Sequence, residues 1–262
     1  MKTSVRNHLA ELFLRSFNDE EYRAVIRALS LFCEVASRRG RPEVLLSEML
    51  DTRESGGLDK HAIAVFARLT GEKELLQIRR QDTGEMFIGG KPDPRGGIPW
   101  QVQPRPNVRA AFQEVRERVR IYADLVARMG RIDVTTSAGD PSRKAMGEAA
   151  LCFNAGLFFE AHEHLEHLWA AQPKGATKRF LQGIIQISVG FHHACAGRYD
   201  GAINQLGKGL EKTLGMTGSF LGLDCDAFMP KVAALRETMR RSGPGNMRPL
   251  HLSQIPPMLI HD

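Results

Sequence analysis

The sequence predicts an all-α protein: an N-terminal small helical bundle, a Pro/Gly-rich linker, and a C-terminal helical bundle of stacked helical hairpins. Three observations carry this expectation. Apolar residues recur at three- and four-residue spacing through most of the 262-residue chain, the period of an amphipathic helix. Five prolines and four glycines fall within positions 89–106, where missing donors and a high ordering entropy oppose regular structure. Finally, "GLFFEAHEHLE" (156–166) and "GRYDGAINQLG" (197–207) share the positions of a Gly, an aromatic, an Ala and a Leu. Such a repeat fits helical hairpins stacked in the style of tetratricopeptide arrays.

Each element has its own signal. "HLAELFLRSF" (8–17) carries a helical apolar stripe. Asn18 then precedes "DEE", with Glu21 three residues on, a capping-box-like start for "EEYRAVIRALSLFCEVASRR". Pro42 suits the first turn of a helix over "PEVLLSEML", and "DKHAIAVFARLTG" ends on Gly71 as a C-cap. The bundle is thus expected over 1–75 and the linker over 76–106. A helix at 107–130 opens a second domain, 107–241, with Arg109, Arg116 and Arg120 on one face. Aligned arginines can hold phosphate or form a solvated face. Asp140-Pro141 reads as N-cap and first helical residue. Helix breaks follow near Gly156, Pro173–Gly175 and Gly197, and 242–262 is expected as an extended tail.

Composition narrows the function classes. Hydrophobic residues make up 42% and charged residues 25%, the balance of an ordinary globular protein. A formal charge of +6 permits acidic partners without specifying one. Sparse aromatics and scattered basic residues argue against a nucleic-acid role. Cys33, Cys152, Cys195 and Cys225 form no CxxC pair, so buried thiols in a reducing compartment are expected rather than disulfides or a zinc finger. No signal-peptide pattern and no run of apolar residues long enough for a membrane span is evident. The expectation is a cytoplasmic protein away from the membrane.

The stretch "FFEAHEHLEHLW" (158–169) concentrates ionisable groups beside large apolar ones. On a helical wheel Glu160, His164 and His167 form an outer group, with Glu163 at its margin. His162 and Glu166 lie four residues apart on the face that also carries Phe158, Leu165 and Trp169. On the next helix Gln182, Gln186 and His193 share a stripe. An antiparallel pairing would bring His162, Glu166, Gln186 and His193 together. Two imidazoles and a carboxylate are a common ligand set for zinc or non-haem iron, and open positions could hold a hydrolytic water with Glu163 as general base. The competing reading is a satisfied buried polar network that fixes helix packing. No HExxH motif is present.

At "FNAGLFFEAHEHLEHLW" (153–169), "FLQGIIQISVGFHH" (180–193) and "GRYDGAINQLGKGLEKTL" (197–214) the chain resembles a bacterial family, domain of unknown function 309, over roughly 145–220. The resemblance implies a helical domain whose members carry the label of predicted metal-dependent hydrolases. Carried over, its motif positions are Asn154, Gly156, Phe159, Glu160, His162, Glu163, Glu166, Trp169, Gln182, Gln186 and His193. This implies that Glu160, outside on the wheel, faces a third helix and joins His162, Glu166, Trp169, Gln182, Gln186 and His193 in a buried polar centre. "LAELFLRSFNDEEYRAVIRAL" (9–29) and "GLDKHAIAVFARLTG" (57–71) resemble effector-associated domains, which implies an adaptor that binds a protein partner through its N-terminal bundle. Two functions therefore compete: a structural or interaction module, and a hydrolase holding a divalent metal such as zinc on His162, Glu166 and His193.

Overall fold

In a computed structural model, residues 1–50, 60–80, 100–129, 140–246 and 248–261 are described. Helices dominate them, and the chain divides into two compact units, Met1–Ile132 and Asp133–Asp262.

In the first unit α1 (Thr3–Arg15) and α2 (Glu20–Arg39) form an N-terminal pair. Asp19, one residue later than the expected Asn18, caps α2 by accepting from the Glu21 backbone N–H at 2.8 Å. The Arg23 guanidinium donates to the carbonyls of Ser16 and Phe17 at 2.8 and 3.0 Å, satisfying acceptors at the end of α1 that no helix partner reaches. Pro42 does not start a helix. Strand β1 (Val44–Leu45) comes first, then the short α3 (Leu46–Leu50) and α4 (Lys60–Glu72).

The expected linker contains structure. β2 (Leu76–Arg80) and β3 (Trp100–Pro104) pair antiparallel, with Ile78 opposite Val102, and β1 adds to the other edge of β3. Leu76, Ile78 and Val102 are buried while Gln77 and Gln101 are not, the period-two alternation of a one-sided sheet. The Pro/Gly-rich stretch 81–99 lies outside the described residues.

The helix expected at 107–130 is two, α5 (Pro106–Arg109) and α6 (Phe112–Met129). It also belongs to the first unit rather than the second. Tyr122 stacks on Phe13 with centroids 4.2 Å apart, and Phe112 meets Phe32 edge-on. Apolar periodicity marks a face that must be covered; it does not name the partner.

The second unit is built from two helical hairpins. The first pairs α7 (Pro141–Asn154) with α8 (Phe158–Ala171), the second α9 (Ala176–Cys195) with α10 (Tyr199–Lys212). Asp140 caps α7 as expected, accepting from Ser142 N at 2.8 Å, with Pro141 at the first position. The internal repeat is visible in backbone detail. Gly156 (φ 78°) and Gly197 (φ 68°) occupy the left-handed region after α7 and α9. Each is followed by a residue whose N–H returns to the helix: Leu157 to Cys152 O and Arg198 to His193 O, both at 2.9 Å. This is the glycine C-cap in duplicate.

Within the second hairpin, α9 and α10 pack closely, with Gly183 and Gly209 at their contact. Phe153 meets Phe158, Phe191 and Phe228 edge-on, which ties α7, α8 and α9 to α11 (Cys225–Ser242). The remaining segment runs extended with two 3-10 turns. Leu250 N donates to Ala194 O, and Ile260 bridges to Leu223. Among the described residues no helix is long and apolar enough to cross a membrane. All four cysteines are free; Cys33, Cys152 and Cys225 are buried and Cys195 is partly so.

Candidate functional site

Helix α8 begins directly after the Gly156 turn, and its core stripe is Phe158, Ala161 and Leu165. It packs against both α7 and α9, so its buried arc is wider than one stripe and reaches residues that a single-stripe wheel puts outside. Glu160 is 0% exposed. His164, also expected outside, directs Nε2 at Glu148 Oε2 across 2.8 Å. Glu148 on α7 is itself 3% exposed. Burial, followed by the charges of Glu160 and Glu148, holds the Cys152 thiol well above its ordinary value. The α7–α8 seam therefore gathers Glu148, Glu160, His164 and Cys152.

The opposite flank carries the expected ligands. His162 Nε2 lies 3.1 Å from Glu166 Oε1, and its Nδ1 lies 3.5 Å from Glu163 Oε1. The imidazole is largely covered, but the Glu166 side chain keeps 52% of its exposure. This corrects the expected core-facing Glu166. Burial on α8 is centred nearer Ala161, and position 166 rotates past the edge of the covered arc. His162, Glu163 and Glu166 present ligand atoms within 4.8 Å of one another.

His193 does not join that group. It lies near the end of α9, and its ring is pressed on α10: a Cβ added at Gly201 would stand 2.7 Å from the imidazole. The expected His162/Glu166/His193 set thus resolves into a cluster on α8 and an imidazole packed on α10. Gln182 and Gln186 are half-buried. Four buried atoms in this region have no hydrogen-bond partner among the described residues: His162 Nδ1, Trp169 Nε1, Gln186 Oε1 and His193 Nδ1. Trp169 has a separate role, receiving the Lys178 ammonium over its ring at 4.8 Å.

These donors fit a divalent cation only in part. One imidazole and two carboxylates are chemically adequate for zinc. All three come from one turn of one helix, however, and His162 Nε2 already faces Glu166. Two residues that spacing within α8 could not reveal are Glu148, sixteen positions before its partner His164, and Asn154. The Asn154 side chain donates to Met258 O at 2.9 Å and accepts from Met258 N at 2.8 Å, clasping the C-terminal segment. The available signal for Glu148 was a lone acid inside the apolar run "MGEAALCF".

Residues 146–205 match the family model described as Domain of unknown function (DUF309). No curated protein and no solved structure matches the chain. The DUF309 segment includes Glu148, both glycine turns, all of α8 and α9, and α10 as far as Gln205. The Glu148–His164, His162–Glu166, Asn154–Met258 and Trp169–Lys178 contacts each have at least one member inside it.

His193 makes a pH-dependent contribution. Burial, and then the Arg198 charge, hold its pKa below the ordinary 6.5. The unfolded chain therefore takes up this proton more readily than the folded one. The associated stability is full above the unfolded value and is lost as the pH falls from there through the folded value. His193→Gln should accordingly show a smaller drop in thermal midpoint between neutral pH and pH about 5 than the wild type. Equal drops would remove His193 as a cause.

Proposed function

We propose that the C-terminal unit is a non-catalytic recognition module, and that the DUF309 motif residues chiefly fix how its helices and C-terminal segment pack. The N-terminal unit, on this reading, is an adaptor-like bundle that engages a protein partner. The carrying observation is that several of the motif's side chains are turned on the chain itself, although His162, Trp169, Gln186 and His193 each keep one buried atom unpaired among the described residues. His164 meets Glu148, Asn154 clasps Met258, Trp169 receives Lys178, and Glu160 is wholly buried. Buried polar networks of this kind specify one packing arrangement.

A second reading is supported by the 4.8 Å group of His162, Glu163 and Glu166. In a metal-dependent hydrolase these three would hold a divalent ion such as zinc. When bound, such an ion lowers the pKa of a coordinated water and polarises a carbonyl or phosphoryl oxygen.

Metal content and thermal midpoint, measured together on wild type and His162→Ala, separate the two readings. The module reading expects far less than one equivalent of metal and no change in midpoint on adding chelator. Stoichiometric metal that His162→Ala abolishes would establish the hydrolase-type centre instead.

A further inference from the structure

A cleft of about 430 Å³ opens between α2 and α6 in the first unit, within the size range of small-molecule sites. Three arginines line it: Arg38 from the last turn of α2, and Arg116 and Arg120 one turn apart on α6. Like charges four residues apart on one helix repel, so their convergence with a third from another helix needs a compensating interaction.

Two carboxylates, Glu34 and Glu117, also line the cleft, and each accepts a hydrogen bond from its own helix rather than pairing with an arginine. Glu34 accepts from Ser30 Oγ at 3.4 Å, and Glu117 accepts from Gln113 Nε2 at 2.9 Å. Glu34 and Arg38 are spaced for an intrahelical ion pair, yet Arg38 makes none among the described residues, and neither does Arg120. Neighbouring arginines of the same unit behave differently: Arg39 pairs with Glu48 and Arg109 with Glu43. Arg116 is half-buried and oriented by the Ser37 hydroxyl, to which it donates. The cleft thus holds one guanidinium fixed in place and two with unused donors.

The lining carries three guanidiniums against two carboxylates, Glu34 and Glu117, and its remaining side chains are uncharged. Burial pushes the Cys33 thiol up to about 12, so it adds no competing negative charge. Guanidinium forks match the paired oxygens of a phosphoryl group and grip it with charge-assisted hydrogen bonds. Arg38 also complements the negative end of the α2 dipole, which leaves Arg116 and Arg120 as the principal anchors.

We propose that this cleft binds a small organic phosphate, its phosphoryl oxygens on Arg116, Arg120 and Arg38 and its hydroxyl or amino donors toward Glu34 and Glu117. This site lies wholly within α2 and α6 and is independent of the DUF309 centre.

The test is calorimetric titration of the full chain at low salt with AMP, with inorganic pyrophosphate, and with adenosine as the probe lacking a phosphoryl group. AMP and pyrophosphate should bind saturably, and adenosine should not. Arg120→Gln removes an exposed, unpartnered side chain, so the fold should be unaffected. Its AMP affinity should fall about ten-fold, the weight of one charge-assisted hydrogen bond. Arg128→Gln removes an equal charge from the same helix outside the cleft, where Arg128 pairs with Asp124, and should leave affinity unchanged. Equal losses in the two variants would reduce the effect to general charge attraction and overturn the proposal. So would adenosine binding as tightly as AMP, or no saturation by either phosphate at millimolar concentration.

Discussion

His164→Ala is expected to destabilise the C-terminal unit by about 1–3 kcal/mol, the usual consequence of leaving a buried polar group without its hydrogen-bond partner. The reason is the position of its partner. Glu148 is 3% exposed and makes its short contact, 2.8 Å, with His164 Nε2. After truncation, only Lys144 at 3.7 Å remains beside it among the described residues, and that side chain is 43% exposed. A carboxylate closed off from water without a close partner is strongly penalised. His162→Ala should cost less, because Glu166 is exposed and rehydrates when the imidazole is removed, so that the packing of the covered ring is the main loss. Urea unfolding of both variants checks the contrast. The double variant His164→Ala, Glu148→Leu should recover much of the loss, since an apolar replacement of both partners leaves no buried polar group unpaired. Equal costs for the two histidines, or no recovery in the double variant, would remove the α7–α8 seam as the stabilising centre.

This ordering reverses what the α8 sequence suggests alone, and the reversal marks where sequence reading stops. A helical wheel assigns residues to faces correctly, but it needs to know how many neighbours the helix has. With one neighbour, His164 is a solvent residue and Glu166 is internal, and Glu160 is brought inside only by the family motif. With α7 and α9 both packed on it, the covered arc widens and shifts, and those assignments exchange. The Glu148–His164 pair spans two helices, so no spacing rule within α8 contains it. His193 likewise lies on its helix as expected but outside the His162 group, with its ring seated against Gly201 on α10.

The fold was more legible where its determinants are local. The Asp140-Pro141 start, the breaks at Gly156 and Gly197, and the duplicated hairpin all rest on capping chemistry within a few residues. What escaped were features fixed by distant partners. Strands β2 and β3 are each five residues long and pair across the masking Pro/Gly-rich composition. The apolar stripe of α6 is clear in sequence, yet only Phe13 and Phe32 show that it belongs to the first unit.

Glycine substitutions should have opposite signs at two helical positions of the second unit. In an open helix, Gly→Ala stabilises by about 0.5–1 kcal/mol, because alanine loses less backbone entropy on folding. Gly147 on α7 meets this condition: a Cβ there has nothing within 4 Å. Gly209 on α10 does not. Its Cβ would fall 2.6 Å from Ile187 Cγ1 and 2.7 Å from the Gly183 carbonyl oxygen on α9. Part of that obstruction is backbone, so no rotamer change removes it and the helices must move apart. Gly183 faces the same limit from the other side, with Thr213 Cγ2 at 2.6 Å and Gly209 O at 3.0 Å. Separating α9 from α10 also loosens buried Ile187 and Leu206. Gly209→Ala should therefore lose about 1–3 kcal/mol, the cost of overpacking, and Gly209→Val more, with the wider β-branched side chain. Gly147→Ala measured in the same buffer supplies the reference for intrinsic propensity. A stabilised Gly209→Ala would show that α9 and α10 do not meet through these glycines, and the close pairing of the second hairpin would have to be abandoned.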